Sequence, residues 1–285
     1  MGSIEFVTFH HSLEAGQEAH PHETLRHDNY LNILDMMFRS AALFHPQMRG
    51  VVITSPDTSL RGLKYRSIKH EVDVDATKLM LSRTRAQHHY LNASSFESPI
   101  VFLDSDILLN GSLSSILEKD FDVALTYRTK SSVPINGGLM IINNRRPEKA
   151  RHFFKIFTEH FENAFSDKAH WYGDQLAMVS LLQLAPLAPQ YKETIECEGC
   201  RILLLPCDNY NFSPDNDVES IRAPLDDKLV LHFKGQRKHL MRLYWSAFLV
   251  ANNKPRFWQA IRRYPAQRKL LRLLEEGRLK AEGVC

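Results

Sequence analysis

Short apolar runs alternate along the chain with longer stretches in which apolar residues recur every three or four positions. Residues 4–10 form the first run and have the length of a buried strand. A loop rich in His, Gly and Glu follows. Asp28 is then placed to cap a helix with the apolar face Leu31, Leu34, Phe38 and Ala41, halted before Pro46. Residues 50–55 predict a second strand, ended by Pro56, and the alternation over 65–72 predicts a shorter one. Residues 75–92 read as helix, 100–103 as a buried strand, 112–117 as a short helix and 122–127 as a strand. Pro134-Ile-Asn-Gly-Gly138 leads into the apolar run 139–142. Pro147 opens an amphipathic helix bearing Phe153, Phe154, Phe157 and Phe161, and Asp174 is positioned to cap another that runs to Leu184. Residues 202–205 and 229–233 are late strands, and the last fifty residues read as helical.

Strands alternating with helices predict an α/β fold with a mostly parallel sheet covered on both faces. In such a sheet the ligand crevice lies at the carboxyl ends of the strands. No internal repeat or low-complexity linker interrupts the chain. The expected organisation is a main α/β unit over residues 1–236 and a helical, basic appendage over 237–285.

The 285 residues, 44% of them hydrophobic, suffice for a large core. No stretch approaches the ~20 apolar residues of a membrane span. The first eleven residues lack a basic start and a small-residue cleavage site, so a cytoplasmic protein is expected. The net charge of +3 is unevenly spread. Residues 232–285 hold thirteen Lys and Arg against three acids, and the rest holds twenty-three against thirty. A basic C-terminal segment on an acidic body points to an anionic surface as neighbour. Phe257, Trp258, Ile261 and Tyr264 recur at helical spacing, and Leu270, Leu271, Leu273 and Leu274 repeat the pattern beside Arg268, Lys269 and Arg272; residues 237–260 are expected to pack on the main unit, and 261–285 to attach peripherally at the inner face of a membrane. No nucleic-acid partner is expected. Cys197-Glu-Gly-Cys200 and Cys207 lack a fourth zinc ligand and read as reduced thiols in a hairpin.

Ile100-Val-Phe-Leu-Asp-Ser-Asp-Ile-Leu-Leu109 carries the strongest chemistry. A buried strand runs into Asp104, Ser105 and Asp106. Two carboxylates two positions apart share a side of a strict strand and suit Mn²⁺ or Mg²⁺ held together with a diphosphate. Far along the chain, Leu229-Val-Leu-His-Phe-Lys-Gly-Gln-Arg-Lys238 is a second apolar strand ending in polar groups. His232 offers a third metal ligand, Gly235 permits close backbone approach, and Lys234 and Lys238 offer point charges for phosphate.

Together these segments resemble the retaining glycosyltransferases of the glycogenin and lipopolysaccharide α-galactosyltransferase family. That family has the GT-A fold, a Rossmann-like nucleotide-binding domain, with Asp-x-Asp after an apolar strand and a later His-x-x-Gly-x-x-Lys-Pro-Trp. His232, Gly235 and Lys238 match the second motif, whereas His239 and Leu240 stand in place of Pro-Trp. The resemblance implies that Asp104, Asp106 and His232 bind the metal, with Ser105 beside the donor and Gly235 and Lys238 on its diphosphate. Asn136-Gly137-Gly138 corresponds to the family's Asn-Ala-Gly, and Asp174-Gln175 to its Asp-Gln pair at a helix start. It implies Asn136 and Gln175 around the donor sugar, Gln175 near the anomeric carbon, and Asp174 on sugar or acceptor hydroxyls. An arginine on the helix before the triplet is implied near the donor phosphates; of Arg83 and Arg85, Arg85 is favoured. Thr8 and His10 occupy the position from which GT-A enzymes contact base and ribose.

The expected activity is metal-dependent transfer of a hexosyl group from a UDP-sugar to a hydroxyl of a saccharide or lipid-linked saccharide, with retention, in surface-glycan or glycolipid synthesis. Two alternatives stand beside it. One is an Asp-nucleophile phosphatase or phosphotransferase, which also carries Asp-x-Asp after an apolar strand. The other is a sugar-nucleotide-binding protein without catalysis.

Overall fold

The computed structural model describes residues 3–12 and 27–281, the side chains of 27–29 and 279–281 excepted. The His- and Glu-rich loop over 13–26, the capping role of Asp28 and Cys285 lie outside the described residues.

The elements follow the predicted alternation: β1 (Glu5–Phe9), α1 (His27–Phe44), β2 (Arg49–Thr54), β3 (Ile68–Glu71), α2 (Leu79–Ala93), β4 (Ile100–Leu103), β5 (Ile107–Leu109), α3 (Ser114–Leu117), β6 (Val123–Tyr127), β7 (Ile135–Ile142), α4 (Pro147–Ala164), α5 (Gly173–Leu181), β8 (Thr194–Cys197), β9 (Cys200–Pro206), α6 (Cys207–Tyr210), β10 (Val230–His232), α7 (Lys238–Tyr244) and α8 (Arg256–Ala281). Eight strands form one mixed, mostly parallel sheet in the order β3-β2-β1-β4-β7-β6-β9-β8. The strands from β3 to β4 are parallel, as are β6 and β9; β7 and β8 run against their neighbours.

Side chains alternate between the two faces of each strand. Phe6, Val52, Val101, Leu139, Ile141 and Leu203 join a core with α1 and α7. Val7, Val51, Phe102, Met140, Ile142 and Leu204 join another with α2, α4 and α5. The four phenylalanines of α4 are all buried, which accounts for their 3–4 spacing.

Three features depart from the sequence expectation. The Asn136-Gly137-Gly138 segment lies inside β7, because pairing with β6 continues across a register shift at Leu125/Thr126. The Ile107–Leu109 triplet is a strand of its own, too short for any periodicity, and pairs antiparallel with β10 in a two-stranded sheet. α5 stops at Leu181, short of Leu184.

The thiols of Cys197, Cys200 and Cys207 are free, and Cys197 pairs with Cys200 across the tight β8–β9 hairpin. The basic C-terminal segment begins inside the core. Leu240, Met241, Tyr244, Ala247 and Leu249 are buried with α1 and β5. The Tyr244 hydroxyl donates to Asn110 Oδ1 at 3.1 Å and accepts from the Leu225 N–H at 3.0 Å. Asn110 in turn donates to the carbonyls of Leu225 and Lys228 at 2.7 and 2.8 Å. Tyr244→Phe removes a buried hydroxyl with two partners, and urea unfolding is expected to show a loss of about 1–3 kcal/mol.

Candidate functional site

The acidic triplet is a turn between β4 and β5, not an extension of the strand. Both carboxylates nevertheless face His232, because β5 pairs with β10 and sets His232 opposite Ile107. The Phe233 N–H donates to the Asp106 carbonyl at 2.9 Å and clamps the two segments. Ligand atoms of Asp104, Asp106 and His232 all lie within 4.8 Å of one another. His232 Nε2 stands 3.1 Å from Asp106 Oδ1 and 3.7 Å from Asp104 Oδ2.

The other oxygen of each carboxylate is held by a cation. Arg83 donates through Nη1 to Asp104 Oδ1 at 2.6 Å, and Lys238 Nζ lies 3.1 Å from Asp106 Oδ2. Arg83 also donates through Nη2 to Asp174. Burial acts to raise Asp106, but His232 and Lys238 outweigh it and hold the carboxyl far below its ordinary range. Burial raises Asp104, and Arg83 and His232 only partly offset this. Arg83 is itself buried, a term that opposes its charge, yet Asp174 and Asp104 keep the guanidinium firmly protonated.

A polar relay orients the imidazole. His232 Nδ1 lies 2.8 Å from Asn211 Oδ1, Asn211 Nδ2 donates to Thr126 Oγ1 at 2.8 Å, and Thr126 donates to the Asn136 carbonyl at 2.8 Å. A carboxamide oxygen only accepts, so Nδ1 carries a proton and Nε2 is the nitrogen that faces the two aspartates. Two carboxylates and an imidazole nitrogen turned inward form a ligand set for a divalent cation. Oxygen with one nitrogen suits Mn²⁺ better than Mg²⁺.

Gly138 makes room for this arrangement. A Cβ there would stand 2.5 Å from His232 Cε1 and 3.2 Å from Asp104 Oδ2. Asn136 shapes the glycine pair, since its side-chain oxygen accepts from the Gly138 N–H at 3.1 Å. Gly137 faces Arg83 and Asp174, with Gln175 Cγ 3.9 Å from where its Cβ would be. Asp174 lies buried in the first turn of α5 and does not cap it; Tyr172, in the left-handed region at φ 63°, precedes the helix. One Asp174 oxygen meets Arg83, and the other, Oδ1, is buried without a hydrogen-bond partner.

Arg83 reaches the site and Arg85 does not. Arg85 is exposed and bonds Glu162 at 2.6 Å. Positions 83 and 85 lie 200° apart around a helix, so only one can face the sheet. Gly235 has open space around it and φ 61°, so it makes the left-handed turn after Lys234 and leaves its backbone open to close approach. Ser105 stands partly exposed in the turn between the two aspartates. Thr8 pairs in register with Leu103, beside the triplet, and its buried hydroxyl has no hydrogen-bond partner. His10 is buried next to the Tyr30 ring, centroids 5.9 Å apart. Sequence reasoning missed Thr126, for which a lone Thr gives no signal, and the part that Asn211 plays in orienting His232. It also left Trp171 and Tyr172 unmarked, two exposed rings 5.8 Å apart immediately before Gly173.

Solved structures of glycosyltransferases share this architecture. The galactosyltransferase LgtC, in complex with donor and acceptor sugar analogs, aligns over 90% of this chain and 99% of its own, at 14% identity and TM-score 0.50. The glycosyltransferase GlyE of Streptococcus pneumoniae TIGR4 aligns over 85% of this chain at 14% identity and TM-score 0.50, and the chain spans 59% of GlyE. A glycosyltransferase involved in glycosylation of the major capsid of PBCV-1 aligns over 85% of this chain and all of its own, at 13% identity and TM-score 0.49. No family model and no curated protein matches the chain. At this identity the likeness is one of fold, and the fold is GT-A.

Gly138→Ala drives a methyl group into the His232 ring. Titration calorimetry is expected to show Mn²⁺ affinity reduced by roughly 10–100-fold, the usual cost of disturbing a ligand's support.

Proposed function

We propose that the chain is a metal-dependent glycosyltransferase that moves a hexosyl group from a UDP-sugar to an acceptor hydroxyl. One observation carries the reading: each aspartate has one oxygen held by a cation and the other turned to His232 Nε2. That is the outer support expected around metal ligands, on a fold shared with known glycosyltransferases. Mn²⁺, or Mg²⁺, bound at Asp104, Asp106 and His232 supplies charge neutralisation at the leaving diphosphate.

The chain's own residues do the rest. Lys238 adds positive charge against the diphosphate, and Gly235 lets the loop turn over it. Arg83 holds Asp104 and Asp174 in fixed relation, with Ser105 between the ligands. Gly137 and Gly138 leave space for the sugar, and Asn136 keeps them in place. Asp174 and Gln175 flank the sugar, Gln175 towards the anomeric carbon; the unpartnered Asp174 oxygen is available to a sugar hydroxyl. Thr8 and His10, at the end of β1, take the nucleoside. The C1–O bond to UDP breaks, the acceptor oxygen forms its bond to C1 from the face that UDP leaves, and the acceptor proton passes to the departing diphosphate, so configuration is retained. A saccharide acceptor stacks on Trp171 and Tyr172. Both aspartates are tied by cations, and nothing in the arrangement favours either as the nucleophile of a phosphatase.

Within this reading, the catalytic domain expected over residues 1–236 runs on through Lys238 and the buried stretch to Leu249, and α8 is the appendage that brings it to its acceptor. No helix among the described residues is long and apolar enough to cross a membrane. On α8, Phe257, Trp258, Ile261 and Tyr264 are exposed, 70% in the case of Phe257. Arg268 stacks over the Tyr264 ring, 5.8 Å from its centroid, and extends the same face with Arg272. The opposite face is bound to the core through buried Leu270 and through Gln267 and Arg263, which donate to the Ala247 and Val250 carbonyls at 3.0 Å. An aromatic and cationic face suits an anionic membrane carrying a lipid-linked acceptor in glycolipid or surface-glycan synthesis.

Two measurements test this. With Mn²⁺ and a panel of nucleotide sugars, the protein is expected to release UDP slowly. Arg83→Ala should lose about 10²–10³-fold in rate, the scale for removing a preorganised electrostatic group, and Arg85→Ala should retain it; the reverse order would overturn the site. In flotation with vesicles, the full chain is expected to bind only those containing anionic lipid, less so as salt rises. Phe257→Ser with Trp258→Ser should abolish that binding and spare UDP release.

A further inference from the structure

A second group of cations gathers beside the metal-ligand cluster. Thr126 on β6 and His232 on β10 are joined through Asn211. Two residues beyond each stand Arg128 and Lys234, and alternate positions share a side of an extended chain. Cys207, at the end of β9, feels the charges of both. Arg128 and Arg237 in turn both bear on the Lys234 ammonium.

Arg128 donates through Nη2 to the neutral carbonyls of Val133 and Ile135, at 2.9 and 3.4 Å, and its Nε is buried without a hydrogen-bond partner. Arg237 is fixed by Nε donating to the Pro214 carbonyl at 2.6 Å. Asp208 bears on Cys207 and Asp106 on Lys234, but Asp106 is already paired with Lys238, and among the described residues no carboxylate forms an ion pair with Arg128, Lys234 or Arg237. Three half-buried cations, none of them in an ion pair with a carboxylate among the described residues, repel one another and focus a field that an anion satisfies.

Sheet order gives that anion its source. The aspartates follow β4. β1, with Thr8 and His10, lies to one side of β4, and β7 and then β6, with Arg128, to the other. A donor whose nucleoside lies over β1 leaves the β6 side to the acceptor.

We propose that Arg128, Lys234 and Arg237 form an anion-binding subsite for the acceptor, so that the molecule receiving the sugar carries a phosphate or carboxylate close to its reacting hydroxyl. This rests on the glycosyl-transfer reading. The forked guanidinium of Arg128 matches two oxygens of either group, and Lys234 adds a point charge.

The test is titration of a hexose 6-phosphate, a hexuronic acid and the neutral hexose into the full chain loaded with UDP and Mn²⁺. At least one charged sugar is expected to bind about tenfold or more tightly than the neutral one, the scale of a charge-assisted contact. Lys234→Gln and Arg128→Gln should each erase most of that preference. Neutralising Lys234 relieves repulsion, so its melting temperature should not fall, and the loss cannot be ascribed to unfolding. Equal binding of charged and neutral sugars overturns the proposal. So does expulsion of the charged sugar by UDP and Mn²⁺, which would give the cluster to the donor. Repeating the comparison without UDP separates the two readings: failure to bind UDP defeats glycosyl transfer, whereas loss of anion preference defeats the subsite alone.

Discussion

Asp104, Asp106 and Asp174 converge at the end of the sheet, and negative charge withdrawn from water must be answered by positive charge. Arg83 answers two of the three, bridging Asp104 to Asp174, and Lys238 answers Asp106. The balance is incomplete on one side only. One oxygen of each ligand aspartate and the free nitrogen of His232 still face one another. A relay through Asn211 and Thr126 fixes the imidazole so that Nε2 points at both aspartates. The three ligand atoms, all within 4.8 Å of one another, form a group able to hold a cation.

The topology is what brings these groups together. In a purely parallel sheet only strand ends would reach the carboxyl edge. β7 runs against β4 and β6, so the start of a strand, Ile135 to Gly138, meets the end of β4. That reversal puts a backbone without side chains where the imidazole and Asp104 need room. The β5–β10 pair does the complementary work, pinning His232 across from the triplet even though more than a hundred residues separate them. Helix α2 then lays Arg83 over the edge from one core, while the turn after β10 brings Lys238 from the other.

Much of this was legible in the residues. The long periodic elements are sites of heavy burial, and burial is what periodicity records; hence β4, α4 and the face of α1 stand where the pattern puts them. The aspartates and His232 were legible because each terminates an apolar run. What escaped were features whose physics is non-local. Nothing near Arg83 distinguishes it from Arg85, since the choice rests on which side of α2 faces Asp174, 91 positions away. Asn211 and Thr126 are ordinary polar residues until folding aligns them with His232. Asp174 carries a helix-capping signature and spends its charge elsewhere. A capping residue satisfies backbone N–H groups in any helix, so the local signal was real, but a buried guanidinium is the stronger partner. At Gly235 the backbone adds a reason that the motif did not give, a left-handed turn at φ 61°.

The uneven charge of the chain gains a physical meaning from these positions. The cations of residues 232–285 are not one solvated face. Lys238 pairs with Asp106, and Lys234 lies where the same carboxylate bears on it. Arg263 is drawn inward by backbone carbonyls. Arg268, Arg272 and their neighbours share the outer face of α8 with exposed aromatic rings, an arrangement that costs solvation of apolar surface unless something covers it. Between the two groups lies the buried stretch from Leu240 to Leu249, packed against α1, so the outer face is tied to the catalytic edge through the core and not through a free linker. In the proposed reaction this matters directly. A surface that seats α8 also fixes how far the site stands above it, and only an acceptor whose reacting hydroxyl lies at that height, with its own negative charge turned towards Arg128 and Lys234, would be presented to the donor.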